Sequence, residues 1–392
     1  MGGKAPIIYK QIKFKIKNMA GISKIKFNRL SGGTGSIVVD NTRVSGMLIV
    51  SGTAGLAGTS GDIEMKVFTI EAVKDLGLSE AVKYQIKNYL DISESYLYLK
   101  IITETSDYSE VETLALYANG ECGQIGVYDL DTEFVITDLS ALHNIAIGLT
   151  NDKIPTQILL CKSIGSTLIE DLVDLSESEY FKTSLHIGED LTKRDELGLD
   201  FLGSVGVDLG LVARTPLGES LAWVKKNNIQ DGKLFAEVGF IDGSTFSSKT
   251  KTVLDLLSDR QLSFYRKFPN DIGVYPAFDS TAVSNSSDFN TIANNLVYDW
   301  SLRRLNATLI PELNSKLGVQ SGGVISEPSA VYYEELCNRV LNSMKINGEL
   351  SDFEVAIDRA QNVVANDTLE ITVLLLGNGV ARYIELDLGY TI

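Results

Sequence analysis

The chain has 392 residues, 44% hydrophobic and 22% charged, with a formal net charge of −16. That length allows two or three domains around a substantial core, and the composition excludes a disordered or fibrous chain. No apolar run approaches a membrane span, the longest strongly apolar stretch being Val373 to Leu376.

The charge is unevenly placed. Residues 1–30 hold eight Lys or Arg and no acidic residue, which leaves 27 basic against 51 acidic side chains in the rest. Within this basic arm Ile12, Phe14 and Ile16 alternate with Lys13, Lys15 and Lys17. Such period-two alternation predicts a half-buried strand. A basic arm on an acidic body suits nucleic acid, a membrane surface or the acidic body of an identical neighbour. Nucleic acid demands no apolar alternation, so the pattern argues against it. A local edge strand with a solvated lysine face is the plainer alternative. The apolar block of a signal peptide is missing after the first lysines, so no secretion by that route is expected.

Residues 31–62 are rich in Gly, Ser and Thr, with short strands expected at Ile37–Val39 and Met47–Val50. Ala81, Val82, Ile86 and Leu90 predict a helix over Ser79–Asp91, followed by a strand at Tyr96–Ile102. Further strands are expected at Leu114–Tyr117, Ile125–Tyr128 and Gln157–Leu160, with a helix over Leu139–Leu149. Strands alternating with helices predict an α/β arrangement over residues 60–245.

The second half predicts three helices. The first, within 249–266, carries Val253, Leu256, Leu257 and Phe264; the second runs from Asp288 to Leu309, capped by Ser286 or Ser287 and ended by Pro311. Phe289, Ile292, Ala293, Leu296 and Trp300 form its apolar stripe. The third begins near Pro328, with Tyr333, Leu336, Cys337, Val340, Leu341 and Met344 on one face. Glu334, Glu335, Asn338 and Asn342 are expected on another face, and Gly348 closes the helix. Strands follow at Phe353–Ile357 and Leu369–Leu376. The chain then ends with Ile384, Leu386, Leu388, Tyr390 and Ile392 alternating against Glu385 and Asp387. A terminal strand with unpaired edges invites pairing with another sheet, including one in another subunit.

Signals for chemistry are scarce. His143 and His186 stand far apart with no Cys or carboxylate at ligand spacing. Cys122, Cys161 and Cys337 are distant and odd in number, against a disulfide framework and in favour of a reducing cytoplasm. No phosphate-loop pattern occurs, and Gly203 to Gly210 lacks a dinucleotide-site setting, so turn and close-packing roles are expected there. Gly58-Thr-Ser60-Gly61 fails the nucleophile elbow because Asp62 follows. No catalytic residue, cofactor or metal is expected.

From about Phe246 onward the order of segments resembles the C-terminal half of contractile tail sheath proteins. The likeness rests on Tyr275-Pro-Ala-Phe-Asp279-Ser-Thr-Ala282, on Ser287-Asp288-Phe289, and on Leu296-Val-Tyr-Asp299-Trp300-Ser-Leu-Arg303-Arg304 ahead of Leu309-Ile-Pro311-Glu-Leu. It continues through Gly348-Glu-Leu, Val355-Ala-Ile-Asp358, Gln361-Asn-Val-Val-Ala365 and Gly379-Val-Ala-Arg382-Tyr-Ile-Glu-Leu-Asp-Leu-Gly389-Tyr. Gly218-Glu-Ser-Leu-Ala-Trp223-Val-Lys-Lys is similar to segments of a divergent branch, and the N-terminal half matches only loosely.

The resemblance implies a mixed α/β fold with a sheath-type C-terminal domain and exchanged terminal strands. It places an N-terminal arm at 1–30, an N-terminal and middle α/β region at 31–245, the C-terminal domain at 246–378 and a C-terminal arm at 379–392. It implies a helical homopolymer around an inner tail tube, with baseplate and tail terminator proteins as further partners, no nucleic acid and no membrane insertion. It also implies a virion tail or injection particle assembled in a bacterial cytoplasm. Ile12 to Lys17 and Ile384 to Leu388 are the implied inter-subunit arms, and Glu334, Glu335, Asn338 and Asn342 a tube-facing surface. An ordinary solvated helix face stays the alternative for that surface. The rival functions are another virion component, baseplate or capsid-associated, and a hydrolase with a site in the Gly-rich N-terminal half.

Overall fold

The computed structural model describes residues 10–15, 44–52, 62–230, 234–382, 384–386 and 388. The expected strand at Ile37–Val39, together with Ile16, Lys17, Asp387, Tyr390 and Ile392, lies outside the described residues.

A six-stranded sheet organises the larger part of the molecule. β2 (Ser45–Val50) is buried along its whole length and pairs in parallel with β4 (Leu97–Ile102) on one side and β5 (Gln124–Asp129) on the other. β6 (Gln157–Lys162) and Thr183–Leu185 extend the parallel set, and β3 (Ile63–Val67) closes the opposite edge antiparallel to β4. β1 (Lys10–Lys15) belongs to a separate three-stranded sheet. The parallel strands follow the 2-1-3-4-5 order of a doubly wound sheet, which needs helices on both faces and hence strands that are apolar throughout.

Alternate residues of these strands feed two cores. Met47, Ile49, Leu99 and Ile101 face α1 (Glu80–Ser93) and the helix Val205–Arg214, meeting Val82, Ile86, Leu209 and Val212. Leu48, Val50, Val127 and Leu160 face α2 (Glu110–Tyr117) and α3 (Ile136–Asn151), meeting Val111, Leu114, Leu139 and Leu142. Ser79 starts α1 by accepting the Val82 amide at 3.3 Å. The close contact between α1 and Val205–Arg214 requires glycine at 206, where an added Cβ would lie 2.0 Å from the Gln85 carbonyl oxygen.

Several expected boundaries are corrected. Leu114–Tyr117 is the end of α2 rather than a strand, because Val111, Leu114 and Ala115 recur at helical spacing toward the sheet. The helix expected within 249–266 covers only Lys251–Asp259; Gln261 has φ +61°, and Phe264 leads into the short strand Tyr265–Arg266. The helix expected from Asp288 starts at Ile292, because Thr291 is the cap and takes the Asn294 amide at 3.1 Å. Phe289 therefore precedes the helix and packs between Phe181 and Tyr298.

The smaller sheet orders β1, Glu370–Leu376 and Asp352–Ala356, all antiparallel. The helix Glu327–Ile346 covers it, with Ala330, Tyr333, Cys337, Leu341 and Met344 inside the core that also holds Ile371 and Val373. That core is continuous with the α1 face of the larger sheet through Trp300 and Leu305 of Ile292–Leu309. Leu257, Leu262, Phe264 and Ala282 instead share a cluster with Leu185 and Ile187, while Tyr265 and Val274 join a small separate one with Val207, Leu211 and Phe235.

Candidate assembly interface

The smaller sheet brings both ends of the chain to one place. β1 lies antiparallel to Glu370–Leu376 with Ile12 opposite Val373, Phe14 opposite Ile371, Lys13 opposite Thr372 and Lys15 opposite Glu370. The two apolar positions of β1 thus fall opposite residues that are almost completely buried, Ile371 and Val373. Burial of side chains of that size stabilises by about 1.5–3 kcal/mol each. On the other side Phe353 pairs with Leu375 and Val355 with Val373. Among the described residues the outer edge of Asp352–Ala356 pairs with nothing.

Beyond Leu376 the chain is held, then released. Asn378 donates to the carbonyls of Gly218 (3.1 Å) and Gly348 (2.7 Å) and accepts from the Ser351 hydroxyl (3.0 Å). The Arg382 guanidinium stacks on Phe278 at 3.4 Å from the ring centre. Ile384, Leu386 and Leu388 then stand 75–88% exposed beside the exposed Glu385. The strand expected here does not form within the single chain among the described residues, since no sheet edge of the same chain pairs with it.

The four residues expected on one face of Glu327–Ile346 separate. Glu334 turns to the sheet, where its carboxylate takes two Arg359 bonds (2.7 and 2.8 Å) and the Ile357 amide (2.9 Å). Arg359 also reaches Glu327 at 2.9 Å. These bonds hold the Glu334 carboxyl below the usual carboxylate range. Glu335 and Asn342 are exposed, and Asn338 is half-buried. The exposed face of this helix also carries Tyr332, Arg339 and Ile346.

Residues not singled out for a role join the two sheets. Lys182 and Asp299 form a fully buried ion pair. Burial pushes the Asp299 carboxyl up, and Lys182 and Arg303 beside it oppose that rise. Arg303 donates to the carbonyls of Gly120, Cys122 (2.8 Å) and Pro155 (2.6 Å), while Arg304 pairs with Glu349. The signal available in the sequence was the charge at Asp299 and Arg303 inside an apolar helical stripe, although it gives no partner.

The histidines are built into packing. His143 lies against Tyr180 and Phe181 and accepts the Lys182 amide at 3.3 Å; burial lowers its pKa to about 4. His186 bridges Ser184 (3.0 Å) and Asp208 (3.2 Å), a Ser-His-Asp constellation in distances. Ser184 is fully buried, and the adjoining cavity of about 10 Å³ holds at most one water, which leaves no room for an acyl substrate. Cys122, Cys161 and Cys337 are buried free thiols. Among the described residues no group of metal-binding side chains gathers, and no helix is long and apolar enough to cross a membrane.

Residues 288–392 match the family described as DUF2586, C-terminal domain. No curated protein matches the sequence. The fold is similar to a chain of the anti-feeding prophage baseplate (TM-score 0.62, 12% identity, 95% of this chain and 100% of that one). It is also similar to the anti-feeding prophage helical sheath in its contracted state (TM-score 0.59, 12% identity, 95% and 100%). The sheath tail protein from Desulfitobacterium hafniense is a third similar structure (TM-score 0.54, 10% identity, 88% and 99%). The chain has the mixed α/β fold of these sheath proteins.

Proposed function

We propose that this chain is the structural subunit of a contractile tail sheath, polymerising as a helical tube around an inner tail tube and contracting to drive that tube through a target envelope. One observation carries the reading: an alternating apolar tail, Ile384, Leu386 and Leu388, stands exposed in a chain whose smaller sheet has, among the described residues, an unpaired edge. Exposed strand-forming segments and open edges favour pairing between chains. The likeness in fold to sheath proteins across most of the chain supports it.

In this reading residues 1–30 and 379–392 are the arms. β1 occupies in its own sheet the place that a neighbour's arm takes in the polymer, a strand exchange that preserves every backbone bond. Lysines 13, 15 and 17 and the acidic Glu385 and Asp387 set register more than affinity, at roughly 0.2–1 kcal/mol per cross-strand pair. Residues 246–378 form the sheath-type domain between the arms, and 31–245 the outer region. The tube meets Glu335, Asn338 and Asn342, with Glu334 kept by Arg359. Baseplate and terminator proteins complete the particle, assembled in the bacterial cytoplasm, and no catalytic step is involved.

A sheath-like baseplate component is the second reading, favoured by the likeness to a baseplate chain. Negative-stain electron microscopy of the full-length chain beside one lacking residues 1–19 separates them. Long hollow tubes from the full-length chain alone are expected. Monodisperse particles from both would overturn strand exchange and favour the baseplate reading.

A further inference from the structure

Three aromatic rings and a carboxylate close around one ammonium at the edge of the larger sheet. Lys66 Nζ, from β3, lies 3.7 Å from the ring centre of Tyr96, 5.0 Å from Tyr98 and 5.5 Å from Phe68. Tyr96 and Tyr98 stand at 81° to each other, and Phe68 leans against Tyr96 with 5.5 Å between centres, so the rings form walls rather than a stack. Glu121 accepts hydrogen bonds from both tyrosine hydroxyls, at 3.0 and 2.7 Å, and its carboxylate sits 3.8 Å from Lys66 Nζ.

A lysine ammonium has three N–H donors to satisfy. Its side-chain neighbours offer Lys66 one hydrogen bond, from its Nζ to the Tyr98 hydroxyl at 3.3 Å, the Glu121 carboxylate as an ion-pair partner at 3.8 Å, and ring faces. Ring faces attract positive charge through their quadrupole without demanding a proton, and they suit a cation whose nitrogen carries alkyl groups. Such a cation has no donor left unsatisfied and more apolar surface to lay against the rings. The site opens to solvent: Phe68 is 64% exposed, and Lys66 is a flexible side chain of which 32% is exposed.

We propose that Phe68, Tyr96, Tyr98 and Glu121 form a binding site for an alkylated ammonium cation of the choline type, and that Lys66 is its resident competitor. None of these residues belongs to the proposed assembly interface, and the proposal does not rest on polymerisation.

The experiment titrates choline chloride into the full-length Lys66→Ala chain, followed by tyrosine fluorescence with sodium chloride as the ionic control. Circular dichroism checks the fold, and Lys66→Gln serves as a second opened variant. The neutral isostere 3,3-dimethylbutan-1-ol separates charge from shape, and phosphocholine tells free choline from a headgroup as the source. Expected are saturable choline binding to the opened variants, binding about ten-fold weaker in the unmodified chain, and no binding of the isostere. Adding Phe68→Ala, at a mostly exposed position, to either opened variant weakens choline binding. Folded Lys66→Ala and Lys66→Gln chains that ignore choline, or that respond equally to the isostere, would overturn the proposal.

Discussion

Arg359 holds Glu334 through two parallel hydrogen bonds of 2.7 and 2.8 Å, while Glu335, the next residue of the same helix, points to solvent. A helix turns by about 100° per residue, so neighbours in sequence serve different surfaces. Glu334→Ala is therefore expected to lower the unfolding midpoint. Glu335→Lys should leave that midpoint unchanged and, under the proposed function, weaken co-assembly with an inner tube. Urea unfolding of both variants, with a tube pull-down for the second, separates the two roles.

The Lys182–Asp299 pair is expected to behave as a buried ion pair does when halved. Asp299→Ala leaves a cation in the core without its carboxylate and should cost about 3–5 kcal/mol. The double change Lys182→Met with Asp299→Leu should recover most of that loss. A double-mutant cycle in urea that proves additive would contradict this account.

Two glycines should respond to alanine with opposite signs. At Gly148 in α3 an added Cβ meets nothing within 4 Å, so Gly148→Ala should stabilise by roughly 0.5–1 kcal/mol. At Gly206 the same methyl runs into the Gln85 carbonyl, and Gly206→Ala should destabilise by forcing the two helices apart. Chemical denaturation of the pair provides the comparison.

His143 ties stability to pH. Its folded pKa, lowered to about 4, lies below the unfolded value near 6.5, so the unfolded chain binds the proton first as pH falls. Its contribution is complete above pH 6.5 and is lost progressively down to about pH 4. Buried acids such as Asp279, whose carboxyl burial pushes up, act in the opposite sense. The informative quantity is accordingly the difference between the unmodified chain and His143→Gln. That difference should shrink between pH 7 and pH 4.

Charge placed on the tail should uncouple folding from assembly. Ile384, Leu386 and Leu388 contribute little to the single chain, so lysine at all three should leave its thermal midpoint in place and abolish tubes in electron micrographs. Tubes as long as those of the unmodified chain would contradict the role given to the tail.

Much of this fold was legible because buried parallel strands announce themselves. Ile125–Tyr128 and Gln157–Leu160 are short apolar runs, and Ser79 ahead of Ala81, Val82 and Ile86 marks a helix start. Leu114–Tyr117 misled because a four-residue apolar window reads equally as strand or helix, and only Val111 and Ala118 extend it to the helical period. The alternation at Ile384, Leu386 and Leu388 predicts a strand, and in the single chain these residues stand exposed without one. The Lys66 enclosure and the Lys182–Asp299 pair were not legible, because their members meet only through tertiary folding across long stretches of sequence. Glu334 could not be told from Glu335 without knowing where Arg359 lies.

The helix Ile292–Leu309 has a mechanical meaning. Arg303 grips three carbonyls of the loops that lead into β5 and β6, Asp299 is locked to Lys182, and one helical step later Arg304 holds Glu349 next to the smaller sheet. A pull applied at the smaller sheet would thus pass toward the larger one through a single helix anchored at both sides. In the polymer proposed above, a subunit tied together in this way would leave shape change to the strands that join it to its neighbours.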